Sequence, residues 1–421
     1  MNVMNIVEKI MARASGKKQI HPGDIIEAKI DKAMMNDITG PLAIEAFKEM
    51  GGKAVWDKER AIIVLDHLVP ADSAQSANMH KILRTFAKDQ DLKYFYDVGR
   101  GGVCHQMMME NHAKPGEMIV GADSHTCTYG AVGAFSTGIG STDIASVFLT
   151  GKLWFKVPKV VNVIVKGKLN PPVAPKDLIL YTVGQFKADG ATYMGVKFSG
   201  EVIQNMSVDG RMTLCNMVVE MGAKNGIVEP DDKTAEYLKA RRLVPFEFVK
   251  GDVDAEYDKI VEYDASKLEP MVACPPSVDN VKPISEVGNV EIDQALIGSC
   301  TNGRLEDLRI AAKTLKGKRV KKGVRALVIP ASQEVYHAAL KEGLLETFVE
   351  SGVLVCGPNC GPCYGGHLGL LAAGETCISS TNRNFVGRMG SPKAMVYLAS
   401  PATVAASAIS GKITDPRRLG S

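Results

Sequence analysis

The stretch Gln294-Ala-Leu-Ile-Gly-Ser-Cys-Thr-Asn-Gly303 passes from a short apolar run into a turn of small and polar residues. The segment that follows, Leu305-Glu-Asp-Leu-Arg-Ile-Ala-Ala-Lys313, is amphipathic and predicts a helix. Strand, turn and helix in this order form the unit from which parallel sheets are built. Reactive side chains of such sheets collect beyond the carboxyl ends of the strands, and Cys300 lies at such a point.

The same unit recurs earlier in the chain. The apolar run Ala61-Ile-Ile-Val-Leu65 precedes the pair Asp66-His67. A second run, Met118-Ile-Val-Gly-Ala122, precedes Asp123-Ser-His125. Short apolar runs that alternate with amphipathic helices predict an α/β fold with largely parallel sheets.

Two proline-rich stretches divide the chain. At 421 residues it is too long for one ordinary hydrophobic core. Prolines cluster at 157–176, and the composition at 264–292 is typical of an extended linker. We therefore predict three α/β domains, which comprise residues 1–158 (with both aspartate–histidine motifs), 159–285 and 286–421.

Composition and charge exclude several classes of partner. The formal net charge is only +3, with acids and bases interspersed, so there is no basic stripe for nucleic acid and no argument for a membrane surface. The N-terminus lacks the apolar run of a signal peptide, and no segment of about 20 apolar residues could span a bilayer. Nine cysteines are too few for a disulfide scaffold in a chain of this size, so we expect reduced thiols and a cytoplasmic protein.

Three cysteines lie in one loop, Cys356-Gly-Pro-Asn-Cys360-Gly-Pro-Cys363. Their spacing is that of a radical-SAM iron–sulfur loop, and the Cys360–Cys363 pair alone could belong to a zinc site or a redox site. A second pair for zinc is absent, and the Gly-Pro within the pair and the Tyr-Gly-Gly after it disfavour a redox helix. A radical-SAM site would also leave Cys300 unexplained.

We therefore favour Cys300, Cys360 and Cys363 as the ligands of one [4Fe–4S] cluster. Three thiolates on four irons leave one iron without a protein ligand, free to act as a Lewis acid. The remaining thiols are interpreted as small buried hydrophobes: Cys104, Cys127, Cys215, Cys274, Cys356 and Cys377.

The motifs taken together resemble those of the aconitase superfamily. They occur in the family's order from about residue 20 to the end, as Asp66-His-Leu68, Gly121-Ala-Asp-Ser-His-Thr126, Gly298-Ser-Cys-Thr-Asn-Gly-Arg304, Gly357-Pro-Asn-Cys-Gly-Pro-Cys363 and Ser380-Thr-Asn-Arg-Asn-Phe-Val-Gly-Arg388. The resemblance implies three α/β domains around an iron–sulfur cluster. Nothing after Arg388 resembles the swivelling fourth domain of single-chain aconitases.

The resemblance also implies roles for individual residues. His67, oriented by Asp66, is expected to be the general acid. The residues expected beside it in the catalytic site are His105, Asp123, His125 and Glu220. Those expected to bind the anionic substrate are Asn36, Ser124, Asn302, Asn382, Arg383 and Arg388, although Asn36 is shorter than the His or Gln that relatives often carry. The other histidines singled out, His21, His80, His112 and His337, match no motif and are interpreted as structural.

The implied reaction is the dehydration and rehydration of a hydroxy-carboxylate. The resemblance places the serine base and the swivelling domain on a separate small subunit, in a heterodimer or heterotetramer. We expect 3-isopropylmalate as the substrate, in leucine biosynthesis, with a homoaconitate or methylmalate-type substrate second. A radical-SAM enzyme is the distant alternative and predicts Cys356, not Cys300, as a ligand.

Overall fold

The computed structural model describes residues 3–419, which form three open sheets and one two-stranded ribbon. The first sheet is entirely parallel. In spatial order its strands are Tyr94–Tyr96, Ala61–Val64, Lys32–Asn36, Met118–Gly121 and Phe135–Gly138. The ribbon pairs Ile25–Lys29 with Lys152–Lys156 in antiparallel register. The helices of this part of the chain are Ile6–Ser15, Gly40–Glu49, Ala74–Asp89, Cys104–Asn111 and Ser141–Thr150, with the 3-10 helix Ser124–Val132.

The second sheet is also parallel. Its strands are Asn225–Val228, Gly195–Ser199, Val160–Lys166 and Lys259–Asp264. The helices associated with it are Pro175–Phe186, Glu201–Asn205, Val208–Met217 and Asp232–Ala240, with the 3-10 helices Val218–Met221 and Ala265–Lys267.

The third sheet is mixed, because the strand next to one edge, Met271–Ala273, runs antiparallel to both of its neighbours. In spatial order its strands are Val281–Pro283, Met271–Ala273, Met395–Leu398, Thr376–Ser379, Gln294–Ile297, Arg325–Val328 and Leu354–Val355. Its helices are Ser299–Asn302, Leu305–Leu315, Gln333–Lys341, Leu344–Glu350 and Pro401–Ser410, with the 3-10 helices Ile284–Glu286, Gly361–Tyr364 and Pro416–Arg418. The predicted α/β class is confirmed.

The three sheets fall within successive parts of the chain. The first two are separated near residue 158, where the sequence also suggested a boundary. The strands Met271–Ala273 and Val281–Pro283 lie in the third sheet, although the predicted division at 285 assigns them to the second domain. The third sheet thus begins about 15 residues earlier than that division. As independent folding units, the three domains stay a prediction.

Successive side chains of a strand point to opposite faces of the sheet, so one sheet can contribute to two hydrophobic cores. Ala33 and Met35 pack with the helices on one face of the first sheet, while Met34 points to the opposite face. The core on Met34's side is continuous with apolar residues of the second and third sheets. A separate core covers the other face of the third sheet. The three sheets therefore meet around one shared interior, and the site lies at its edge.

Side-chain caps fix where several helices begin. Ser73 accepts a hydrogen bond from Ser76 N at 3.1 Å, and Ser332 accepts one from Val335 N at 3.1 Å. Ser332 also lies at the contact between the first and third sheets, so its helix starts at a fixed place beside the site. None of the helices between residues 3 and 419 is long and apolar enough to cross a lipid bilayer.

Candidate active site

The motifs predicted from separate parts of the chain come together where the three sheets meet. The N–H of Cys360 donates to the backbone oxygen of Asp66 at 2.8 Å, which joins the cysteine loop to the aspartate–histidine motif. His125 Nε2 lies 2.9 Å from Glu220 Oε1, which joins the first sheet to the second. Each motif follows the carboxyl end of a strand, so the topology brings them to one edge.

A strained turn presents Cys300. Ser299 has φ of 69°, a left-handed conformation that is unfavourable for a side-chain-bearing residue. The fully buried Arg304 donates to the backbone oxygens of Cys300, at 2.7 Å, and of Thr301. Its guanidinium therefore stabilises the turn. A backbone strained by roughly 1–3 kcal/mol persists only where the surroundings enforce it. The turn is thus built to place one sulfur.

Two asparagines connect the sulfurs. Asn382 Nδ2 lies 3.3 Å from Cys300 Sγ, and Asn382 Oδ1 accepts from Cys363 Sγ at 3.3 Å. Asn216 Nδ2 donates to Cys300 Sγ at 3.3 Å. Amide N–H groups aimed at sulfur are typical of iron–sulfur sites, where they tune the cluster. Asn382 was predicted in the site, but Asn216 was not.

The donor set fits an iron–sulfur cluster. Cys300, Cys360 and Cys363 are all buried and none forms a disulfide. Burial raises the pKa of Cys300 to about 12, so its sulfur becomes a thiolate only when a metal displaces the proton. Three soft ligands with donors aimed at sulfur suit iron better than magnesium or calcium.

Cys356 differs from these three thiols in the contacts that it makes. Its backbone N–H donates to Val328 O at 2.9 Å, so Cys356 continues the pairing of the last strand of the third sheet. Burial alone raises the pKa of its thiol, whereas Cys360 is hydrogen-bonded to Cys363 and Cys300 feels the charge of Cys363. This arrangement favours Cys300 over Cys356 as the third ligand.

The pair Asp66-His67 forms a buried acid. His67 Nδ1 lies 2.7 Å from Asp66 Oδ1, and His67 Nε2 lies 3.7 Å from Asp123 Oδ2. Burial lowers the pKa of His67, but Asp66, Asp37 and Asp123 outweigh it and raise the pKa to about 10. His67 is therefore an imidazolium at neutral pH, with Nδ1–H donated to Asp66 and Nε2–H directed to the site.

Asp37 and His80 support this pair, and sequence reasoning missed both. Asp37 accepts hydrogen bonds from the N–H groups of His67, at 2.9 Å, and Leu68, at 2.8 Å, and His80 Nε2 lies 3.1 Å from its carboxylate. His80 is buried, so its interpretation as an unremarkable histidine overlooked this contact. Asp37 directly follows Asn36 at the end of a strand, and the rule that located Asp66 would have located it too.

Asp123 collects donors from several elements. It accepts from His105 Nε2 at 2.9 Å and from the N–H of His125 at 2.8 Å, and Tyr129 lies behind His105 at 3.0 Å. Burial raises its pKa, but His105 and His125 outweigh it and hold the pKa well below the usual range. Asn36 Nδ2 reaches the same carboxylate at 3.4 Å. Asp123 is thus a fixed anion facing His67.

Asn36 and Ser124, both expected to bind substrate, differ in how their side chains are used. Asn36 Oδ1 accepts from the N–H groups of Ile38 and Thr39, so most of this buried side chain serves the turn. Ser124 is half-buried, and its Oγ lies 3.5 Å from His125 Nδ1. Ser124 therefore lies beside the histidines, whereas Asn36 lies beneath Asp123.

His125, Glu220 and Arg383 form a chain of charges. Glu220 Oε1 lies 2.9 Å from His125 Nε2 and accepts from Arg383 Nε at 2.8 Å. Burial and Arg383 lower the pKa of His125, but Asp123 and Glu220 outweigh them and raise it. Within residues 3–419 no hydrogen bond occupies the terminal nitrogens of Arg383, so its fork can receive a carboxylate.

Arg388 and Asn302 differ in how their polar atoms are used. Arg388 Nε is buried and has no hydrogen-bond partner within the described chain. This donor is available to the carboxylate of a ligand. Asn302 instead directs its amide N–H to Asp307 of the following helix at 2.8 Å, while its buried Oδ1 has no hydrogen-bond partner among residues 3–419.

A family model described as "Aconitase family (aconitate hydratase)" matches residues 8–290 and 282–411. A "Probable 3-isopropylmalate dehydratase large subunit" from Methanothermobacter thermautotrophicus is 56% identical over 417 residues, 99% of each chain. The "3-isopropylmalate dehydratase large subunit 1" of Methanopyrus kandleri is 56% identical over 413 residues, 98% of each. The protein of that name from Pyrococcus furiosus is 52% identical over 422 residues, 100% of each.

Among solved structures, the holo-form of Thermococcus kodakaraensis aconitase X matches with a TM-score of 0.50. The match covers 90% of this chain and 89% of that chain at 14% identity, so it supports the fold alone. The family model and the full-length relatives confirm the resemblance drawn from the motifs. The chain belongs to the aconitase family.

Proposed function

We propose that the protein is the large subunit of a 3-isopropylmalate dehydratase, a hydro-lyase of leucine biosynthesis. The observation that carries the reaction class is the meeting of three buried thiols with the imidazolium of His67 at one edge of the sheets. The substrate follows the names of relatives that match over their full length. None of the nine cysteines forms a disulfide, and we propose a cytoplasmic location.

The cofactor is proposed to be one [4Fe–4S] cluster on Cys300, Cys360 and Cys363. With three protein ligands it would supply one open iron, a Lewis acid for the substrate hydroxyl. Support comes from the burial of the three sulfurs and from the amide N–H groups of Asn216 and Asn382 that face Cys300.

His67 is proposed to protonate the departing hydroxyl oxygen. Its Nε2 holds the proton, because Nδ1–H is donated to Asp66 at 2.7 Å. Asp123, 3.7 Å from Nε2, stabilises the imidazolium before transfer and limits the directions in which the ring can tilt. In the reverse step the neutral ring accepts a proton from the water that adds to the alkene.

His125 is proposed to hold that water beside Asp123, with His105 fixing the carboxylate of Asp123. Both rings are buried; Glu220 fixes Nε2 of His125, whereas Asp123 and the Tyr129 hydroxyl contact the two nitrogens of His105. Fixed rings can orient a small oxygen ligand without reorganisation during the reaction.

Arg383 and Arg388 are proposed to bind the carboxylates of the substrate. Glu220 holds the Nε of Arg383, which orients the rest of its guanidinium, while Arg388 contributes a buried N–H without a partner among residues 3–419. A planar fork suits a carboxylate better than a point charge does.

The base that removes the proton on carbon is proposed to be a serine of a small subunit that also carries a swivelling domain. The relatives' printed name, large subunit, supports a second chain. Heterodimer and heterotetramer are both compatible with this proposal.

The test combines the full chain, reconstituted anaerobically with iron and sulfide, with a small subunit of a 3-isopropylmalate dehydratase. We expect conversion of 3-isopropylmalate, and no turnover when either chain is omitted. Parallel assays use homocitrate-type and methylmalate-type substrates. Preference for one of those would overturn the substrate assignment, and absence of hydro-lyase activity on all of them would overturn the reaction class.

A further inference from the structure

Lys176 is a buried cation without an anion beside it. Its side chain is fully buried in the first turn of the helix Pro175–Phe186. In the described part of the chain its ammonium forms no ion pair, and its hydrogen bonds go to backbone oxygens; the helix N-terminus is itself unfavourable for a positive charge. Burial lowers the pKa of Lys176 to about 7. An isolated buried charge is costly, so its retention calls for a compensating anion.

The neighbouring Asp177 is not that anion. Its carboxylate accepts hydrogen bonds from the N–H of Ala174 at 2.8 Å and from the N–H of Met271 at 2.9 Å. Asp177 therefore caps its own helix and anchors the strand Met271–Ala273 of the third sheet. Burial raises the pKa of Asp177 to about 7, so the carboxylate itself lacks full support for its charge.

The ammonium of Lys176 faces the segment that leads to the sulfurs. It donates to the backbone oxygens of Ser380, at 2.8 Å, and of Thr381. The next residue, Asn382, contacts both Cys300 Sγ and Cys363 Sγ at 3.3 Å. The negative charges that act on Lys176 are those of Asp307, Cys363, Cys300 and, last, Asp177. Lys176 thus lies directly behind the amide that bridges two sulfurs.

The anion missing from the surroundings of Lys176 matches the group that the thiols are proposed to hold. A cubane cluster with three thiolates has a net negative charge, which increases on reduction. Nearby charge and hydrogen bonds to sulfur set the stability and the reduction potential of such clusters. A cation held behind Asn382 would act on both.

We propose that Lys176 is a positioning residue of the cluster, whose positive charge offsets that of the cluster and whose hydrogen bonds fix the Ser380–Asn382 segment. The inference rests on the proposed function, because it requires the cluster on Cys300, Cys360 and Cys363. It assigns a role to a residue on the second sheet's helix that touches neither the substrate nor the sulfurs.

The alternative is a structural cross-link between the second and third sheets, which would act on folding alone. Two substitutions separate charge from hydrogen bonding. Lys176→Met removes both, whereas Lys176→Gln retains amide N–H donors without the charge. The matched control is Lys187→Met. Lys187 lies at the other end of the same helix and donates to the backbone oxygen of Asp279 at 3.3 Å, but its side chain is exposed.

The experiment uses the full chain reconstituted anaerobically, with the reduction potential of the cluster followed by EPR and the cluster lost in air followed by absorbance. We expect both Lys176 variants to have a more negative potential than the wild type. Cluster loss should be roughly tenfold faster or more in Lys176→Met, by analogy with other outer-sphere contacts of metal ligands. Lys187→Met should match the wild type in both measurements.

A wild-type potential and loss rate in both Lys176 variants would overturn the inference. So would a loss of thermal stability in the cluster-free variants with an unchanged cluster potential, because that result identifies a structural cross-link. If Lys176→Met does not fold, Lys176→Gln alone decides through its potential. A wild-type chain that assembles no cluster would instead overturn the proposed function, so the two failures are distinguishable.

Discussion

Asp37 receives a hydrogen bond from His80 at 3.1 Å while its two oxygens also hold the backbone of the Asp66-His67 motif. Burial raises the pKa of Asp37, but His80 and His67 outweigh it and lower the pKa to about 2. The carboxylate is therefore ionised throughout the physiological range. The orientation of His67 thus depends on a residue that lies behind the site.

Replacing this carboxylate should impair proton transfer more than substrate binding. In Asp37→Asn the amide oxygen can still accept a hydrogen bond, but the amide N–H faces backbone N–H groups of the Asp66-His67 motif, which are donors too. We expect kcat to fall by about 100-fold, because a small misplacement of a catalytic group costs about that much, with KM little changed. Steady-state kinetics with the small subunit measure both constants.

A double-mutant cycle decides whether Asp37 acts through His67. The effect of Asp37→Asn on kcat should disappear in a His67→Gln background, because the acid that it positions is absent. Asp31→Asn is the matched control, since Asp31 accepts the N–H of Met118 at 2.8 Å at the opposite end of the same sheet. Additive effects in the cycle would show that Asp37 acts independently of His67.

The choice of the third ligand is open to a direct comparison. Cys300→Ser should abolish stable cluster assembly, because Cys300 is the sulfur that both Asn216 and Asn382 face. Cys356→Ser should retain it, because Cys356 shares no contact with the other two thiols in the described chain. Iron content per protein after anaerobic reconstitution gives the answer. The reverse pattern would replace our ligand set with the one in the Cys356–Cys363 loop.

Carboxylate binding by Arg388 depends on its forked geometry. Arg388→Lys should keep the cluster but raise KM roughly 10- to 100-fold, because loss of one charge-assisted hydrogen bond costs about 1.5–3 kcal/mol. The control is Arg309→Lys, since Arg309 binds Glu342 through two nitrogens, at 2.7 and 2.6 Å, on the exposed surface. A KM unchanged by Arg388→Lys would remove this residue from the site.

A buried glutamate predicts a pH-dependent stability. Glu110 accepts from Gln106 Nε2 at 2.8 Å and from Ser332 Oγ at 2.7 Å, where the first and third sheets meet. Burial raises its pKa from 4.5 to about 7, against those two hydrogen bonds. Between these values the folded state holds a proton that the unfolded state releases, so stability falls as pH rises through about 7.

Glu110→Gln should remove this loss, because glutamine mimics the protonated acid. Relative to the wild type, the variant should gain up to about 3 kcal/mol in free energy of unfolding between pH 4.5 and pH 7, and no more above that range. Denaturant titrations of the cluster-free chain at several pH values measure the difference. A difference that stays constant across this window would show that Glu110 is ionised in the folded state.

Sequence patterns predicted the fold class because each strand, turn and helix has a local pattern of its own. The runs before Asp66, Asp123 and Cys300 are strands in the structure, and the side chains after them meet because parallel strands end at one edge. The sheet to which Met271–Ala273 and Val281–Pro283 belong was harder to predict. They pair antiparallel at the edge of a sheet whose other strands come from later in the chain, and no local pattern encodes that partnership.

The supporting residues escaped sequence reasoning for a similar reason. Lys176, Asn216 and His80 act through contacts between elements that are far apart in the chain, and each alone is an ordinary polar residue on a helix. Asn302 shows the converse, because its motif predicts a place beside Cys300 but does not show that its N–H points to Asp307. Motifs locate a site, whereas the direction of each donor requires the fold.

We propose that three thiols of this chain hold a cluster with one iron open to substrate. The most direct measurement is the iron content of the full chain after anaerobic reconstitution, followed by EPR after mild oxidation. We predict the loss of one iron and the appearance of a three-iron cluster signal, with the lost iron restored by added ferrous iron. A site filled by a single zinc ion would rule out the cluster, and a four-iron cluster that loses no iron on oxidation would rule out the open iron.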